Sequence, residues 1–319
     1  MFRRLVCVAL LFASLSPTYA RADWPERPVT IISPFAAGGT ADFLARLIAD
    51  HMQREFKQTF VVENKTGAGG SLGAGLVARA LPDGYTLLVG SVATHAINPL
   101  LFKLPFDPSN DFEAITLIAR LPNLLVISPS VPAKTVPELV AYLKANPDKA
   151  TFGSAGNGTS QHLAGELFRM RTGASMTHVP YKGAGEIMAA LIGGEITLSF
   201  NNMVNAWPAA KDGQVRAIAV TSLERNSSAP DVPTMAESLS GFEATTWFGL
   251  FAPKGTATHV VERLAASVAA TLAQPEVLKK LNDVGAVAAP LPRQEFARFI
   301  SDEQSKWRQI VEAAGIKQQ

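Results

Sequence analysis

From Val29 onward, short runs rich in β-branched residues alternate with stretches in which apolar residues recur at helical spacing, nearly to the carboxyl terminus. This alternation restricts the chain to an α/β fold built from crossover units. The first unit is a strand over 29–35, a glycine loop, and a helix with Leu44, Leu47, Ile48 and Met52 on one face. A strand over 59–63, a helix near 76–81 closed by Pro82-Asp83-Gly84, and a strand over 85–90 follow. Three such units in succession favour a parallel sheet.

The apolar run 115–128 carries Pro122 and Asn123 at its centre and is expected to leave one lobe and enter another. The pattern then restarts: helix 136–144, strand 150–153, helix 161–171, strand 176–181, helix 186–192, strand 196–200, a short helix near Trp207 and strand 215–221. A second crossing is expected over 245–252, with amphipathic helices beyond it. Two crossings give a discontinuous first lobe, 23–122 plus 247–319, and an inserted second lobe, 123–246. Each lobe is expected to be a mostly parallel sheet flanked by helices, with a ligand cleft between them and hinges at the crossings.

Arg3 and Arg4 precede the apolar run 5–15 and the small-residue pattern Ala20-Arg21-Ala22, the order of a secretory signal peptide cleaved after Ala22. The arginine pair alone hints at twin-arginine export, but the rest of that signal is missing, so general secretion is favoured. Removing 22 of 319 residues leaves 297, more than one core usually organises. The single cysteine, Cys7, lies in this leader, which excludes disulfides, thiolate metal sites and a cysteine nucleophile from the mature chain. With 29 basic and 27 acidic residues and no basic cluster, nucleic acid is not an expected partner.

The segment Pro34-Phe35-Ala36-Ala37-Gly38-Gly39-Thr40-Ala41-Asp42 ends a strand and opens a helix. That is where α/β sheets hold ligands, and glycines there let backbone N–H groups approach an anion favoured by the helix dipole. An ordinary capped turn would use the same residues, with Asp42 complementing the dipole. A second such loop, Ser154-Ala155-Gly156-Asn157-Gly158-Thr159-Ser160-Gln161, follows a strand of the other lobe. Two loops without Lys or Arg, one per lobe, suit one carboxylate gripped by neutral donors: backbone N–H groups, the hydroxyls of Thr40, Ser154, Thr159 and Ser160, and bridging waters. Asn201 and Asn202 are either further donors or turn and cap residues. Ser91, Thr94 and His95 follow the third strand and are secondary candidates; Tyr181 and Lys182 are placed at the hinge or at a solvated strand end. Trp247 and Phe248 are expected to pack at the crossover, with an aromatic wall for a ring-bearing ligand as the alternative.

Taken in order, several segments resemble the receptors of tripartite tricarboxylate transporters, the Bug receptors, across essentially the whole mature chain. They are Trp24-Pro25 with Arg27-Pro28, the loop 34–42, 62–70, 82–88, 95–99, 153–158, 162–166, His178-Val-Pro-Tyr-Lys-Gly183 and 247–253. The resemblance implies a two-lobed periplasmic binding protein of type II-like fold that captures a small organic anion and passes it to membrane permease subunits. It further implies that Phe35 to Thr40 and Ser154 to Ser160 hold one carboxylate, partly through water. Where many relatives carry Phe-Asp-Asn, this chain has Phe200-Asn201-Asn202, and Gln161 replaces a smaller hydroxyl residue. A monomer in the periplasm without cofactor or metal is expected.

Rival chemistry finds less support. Gly73-Ala74-Gly75 followed by Ala78 falls within a helix rather than after a strand, and no P-loop is present. His51, His95, His162, His178 and His259 lack zinc-site spacing and are expected to be structural. A sensor presenting its closed form to a receptor kinase would share the same binding physics.

Overall fold

The computed structural model describes residues 24–313, so the leader and cleavage point expected from the sequence lie outside the described residues. In chain order the elements are β1 (Val29–Ser33), α1 (Thr40–Phe56), β2 (Phe60–Asn64), α2 (Ser71–Ala78), β3 (Thr86–Ser91), a π-helical turn (Ala93–Ile97) and α3 (Asn98–Leu101). Then come β4 (Phe112–Ile127), α4 (Val136–Ala145), β5 (Thr151–Ser154), α5 (Ser160–Thr172), β6 (Thr177–Pro180), α6 (Ala184–Gly193), β7 (Leu198–Asn202), α7 (Met203–Lys211) and β8 (Arg216–Val220). The chain closes with β9 (Thr245–Pro253), α8 (Thr258–Leu272), α9 (Pro275–Asp283), β10 (Val287–Ala288) and α10 (Arg293–Ala313).

The strand order is β2-β1-β3-β9-β4-β7-β5-β6, with β8 and β10 also on β4. The outer strands β2-β1-β3 and β7-β5-β6 run parallel, as the βα rhythm requires. The middle does not: β9 lies antiparallel to both β3 and β4, and β4 antiparallel to β7 and β8. Each lobe's sheet is therefore mixed, because the two strands that cross between lobes must run in opposite directions. Pro122 and Asn123 do not interrupt β4. Residues Phe112 to Pro122 pair with β9 and Asn123 to Ile127 with β7, so one continuous strand serves both lobes.

Local chemistry explains the elements. Buried Leu44, Ala45, Ile48, Ala49 and Met52 give α1 one apolar face, and Lys57, left-handed at φ 53°, ends it. Thr159 caps α5 by accepting the His162 N–H, and Gly173 closes it with φ 67° and an N–H bond to the Arg169 carbonyl. Helix α2 begins five residues before the expected start because its glycines allow close packing; a Cβ on Gly73 would lie 2.7 Å from the Lys65 carbonyl oxygen. β7 ends two residues later than expected, since Asn201 and Asn202 continue the ladder opposite Leu124 and Asn123. These two asparagines are thus strand residues facing opposite ways.

Candidate functional site

A cavity lies between the lobes, where the amino termini of four helices of nine residues or more converge. Thr40 and Ala41 open α1, Ser160 and Gln161 open α5, Gly183 and Ala184 open α6, and Asn202 precedes α7. Ser91, Val92 and Ala93 add the start of the π-helical turn, and Phe35, Ala36, Gly39, Ala155, Thr159, Asn205, Thr246 and Phe248 complete the wall. No Asp, Glu, Lys, Arg or His belongs to this lining. Each helix start presents unpaired N–H groups and about half a positive elementary charge, so an uncharged wall here is still an anion-attracting one.

In the first loop, two of the expected donors are already committed. The Gly38 N–H bonds to the Asp42 carboxylate at 3.0 Å and the Gly39 N–H to the Ala36 carbonyl at 3.2 Å. Burial alone would raise the Asp42 pKa, but bonds from Arg46 and the Gly38 N–H hold it below the ordinary carboxylate value. Asp42 therefore shapes the loop as an anion and spends the Gly38 amide in doing so. Ala37 and Gly38 are exposed, outside the lining. What the loop offers the cavity is the start of α1 itself.

The second loop is likewise braced from within. Ser154 lies outside the lining; its Oγ sits 2.6 Å from His178 Nε2 and 3.1 Å from the Gly156 carbonyl oxygen. The Thr159 hydroxyl donates to the Gly156 carbonyl at 2.8 Å, so its one hydrogen is not free for a ligand. Gln161 lines the cavity while its Oε1 accepts the Ala155 N–H at 2.7 Å and its Nε2 donates to Asn201 Oδ1 at 3.0 Å. Behind the loop, His162 and His178 pack with ring centroids 4.2 Å apart, and burial depresses both to about 4, so they are neutral near pH 7. Gly156, Asn157 and Gly158 face lobe one rather than the cavity: a Cβ on Gly69 would lie 2.3 Å from the Asn157 carbonyl oxygen, and one on Gly158 2.0 Å from Asn98 Oδ1.

The third segment joins the cavity to the crossing strand β4. Asn123 Nδ2 donates to the Ala244 carbonyl at 2.9 Å, and Asn202 Nδ2 donates to Asn123 Oδ1 at 2.6 Å. Thr221 adds bonds to the Asn123 and Ala244 backbone. Across the cleft, the Thr40 hydroxyl lies 3.2 Å from Asn202 Oδ1 and 3.0 Å from Asn205 Oδ1, and Asn205 Nδ2 donates to the Gly38 carbonyl at 2.9 Å. The lobes are thus closed and directly bonded.

Several expected site residues lie elsewhere. Asn201 is fully buried behind Gln161, with its Nδ2 unpartnered. Thr94 turns back onto Ser91 and touches His95 Nδ1 at 2.8 Å. His95 stacks on Phe251 at 3.8 Å in the core, where burial lowers it to about 3. Tyr181 and Lys182 line a separate groove at the cleft mouth with Gly67, Gly69, Gly70 and Gly156. Only Ser91 of its group reaches the cavity, and its buried Oγ has no partner. Asn205, Gly183 and Ala184 were not anticipated as site residues, although Asn205 lies only three residues beyond Asn202. Trp247 and Phe248 divide by strand alternation, Trp247 entering the core and Phe248 the cavity wall. Among the described residues no group of three or more His, Cys, Asp or Glu could hold a metal ion, and no helix is long and apolar enough to cross a membrane.

Comparison with known proteins agrees with this architecture. Residues 44–316 match the family model described as the tripartite tricarboxylate transporter family receptor. BugT of Bordetella pertussis is 33% identical over 320 residues, covering 98% of each chain. Among solved structures, R. palustris Rpa4515 with adipate is 36% identical with a TM-score of 0.91, covering 93% of this chain and 100% of that one. MatC from Rhodopseudomonas palustris with bound malate is also 36% identical, with a TM-score of 0.85 and coverage of 90% and 100%. The chain belongs to the receptor family of the tripartite tricarboxylate transporters.

Proposed function

We propose that this receptor closes on one small organic carboxylate and presents the closed form, as a periplasmic monomer freed of residues 1–22, to the permease subunits of a tripartite tricarboxylate-type transporter. The observation that carries the reading is the convergence of four helix amino termini on a cavity without charged side chains. A carboxylate there gains N–H partners and dipole stabilisation from both lobes, so occupancy favours closure. The relatives solved with adipate and malate support the same ligand class. The lobes are assigned as 23–122 plus 247–319 and 123–246, turning about the two crossing strands.

We assign no catalysis to the site. Among the described residues the one close serine–histidine pair, Ser154 and His178, stands outside the cavity wall, and its hydroxyl is engaged with Gly156. A thermal-shift screen of organic acids on stripped protein tests the proposal. A ligand at about 100 times its Kd adds roughly 2.7 kcal/mol and raises Tm by several degrees. No shift with any organic acid would remove the carboxylate reading; recovery of a chemically altered ligand would reinstate an enzyme.

A further inference from the structure

Hydrogen-bond bookkeeping at the cavity wall leaves one acceptor too many. The Ala244 carbonyl can only accept, which fixes Asn123 Nδ2 toward it, Asn123 Oδ1 toward Asn202 Nδ2, and hence Asn202 Oδ1 toward Thr40. The Gly38 carbonyl likewise fixes Asn205 Nδ2 and turns Asn205 Oδ1 toward the same hydroxyl. Thr40 has a single hydroxyl hydrogen for two amide oxygens. All three residues line the cavity, so the surplus acceptor is available to a bound molecule.

Resting on the carboxylate reading above, we propose that Asn202 and Asn205 select a hydroxycarboxylate, whose hydroxyl donates to whichever amide oxygen Thr40 leaves unserved. A neutral donor fits better than an ammonium. No acidic side chain lines the cavity to balance a cation, and the surrounding helix starts repel one. The carboxylate is held by helix N–H groups, while the hydroxyl reports to a separate pair of amides, of which Asn202 is joined through Asn123 to the crossing strands.

The test is calorimetry with matched acids: malate, succinate and aspartate, then lactate against propionate, and 3-phenyllactate against 3-phenylpropionate. The hydroxy member of at least one pair should bind about three- to tenfold tighter than its deoxy partner, the ratio one net hydrogen bond supplies. Where malate binds, it should also exceed aspartate. Asn205→Ala removes one acceptor and should bring the hydroxy-to-deoxy ratio to about one, even as both affinities fall with the lost Gly38 bond. Thr40→Val removes the competing hydrogen and should keep or enlarge the ratio. Equal or tighter binding of every deoxy acid that binds, or an unchanged ratio in Asn205→Ala, overturns the inference and leaves the carboxylate reading standing. Absence of binding by every acid overturns that reading itself.

Discussion

Replacing Gly183 by alanine is expected to hold the lobes apart. Gly183 is extended at φ −179°, a conformation any residue adopts, so the added methyl introduces no left-handed strain. Its Cβ would lie 2.5 Å from the Cβ of Ala36 on the opposite lobe. Ordinary carbon contacts sit near 3.5 to 4.0 Å, so the gap must widen by about 1 Å. A similar displacement would break the Thr40–Asn205 and Asn205–Gly38 bonds, now 3.0 and 2.9 Å. Two net hydrogen bonds amount to about 1–3 kcal/mol, or roughly a five- to 150-fold weaker Kd. Any cost of losing glycine at the start of α6 applies to open and closed forms alike and leaves that ratio untouched. Calorimetry with the best acid from the screen measures the effect. Ala36→Gly should restore affinity in the double variant, because the nearest remaining Ala36 atoms stand 3.7 Å away. A Gly183→Ala receptor that binds within twofold of the parent would refute the closure geometry.

Two further outcomes concern stability. Glu303 is buried and accepts both indole N–H groups, from Trp247 at 3.0 Å and Trp307 at 3.1 Å, so Glu303→Ala strands two buried donors and should cost about 2–5 kcal/mol. Glu303→Gln keeps an acceptor and should cost less; thermal unfolding of both variants checks the order, and equal losses would contradict it. His162 and His178, lowered by burial to about 4, and His95, lowered to about 3, bind protons more weakly folded than unfolded. Their contribution is therefore complete above pH 6.5 and lost as pH falls toward the folded values, at about 1.4 kcal/mol per pH unit per histidine. Urea unfolding from pH 7 to 4.5 should show this decline, and a flat profile would mean these rings are not excluded from water.

The α/β rhythm was legible in the sequence because parallel strands and amphipathic helices leave strong periodicities. So was the position of Thr40 and Ser160, since strand-loop-helix joints define where helix starts fall. Donor availability was not legible. Whether Gly38, Ser154 or Thr159 has a hydrogen to offer depends on Asp42, His178 and the Gly156 carbonyl, partners set by loop geometry. The antiparallel centre was hidden too, because β4 and β9 are buried along nearly their whole length and carry no mark of direction. His95 followed a strand end like a ligand residue, yet the π-helical turn carries it back over Phe251.

The uncharged cavity wall bears on release as much as on capture. A lysine or arginine would keep its attraction for a carboxylate whatever the angle between the halves. Dipole ends mounted on both halves act together only at short range, so their joint hold fades within a few ångströms of parting. Cargo grasped this way is surrendered by movement alone, and anything that pried the halves apart would have no ion pair to break.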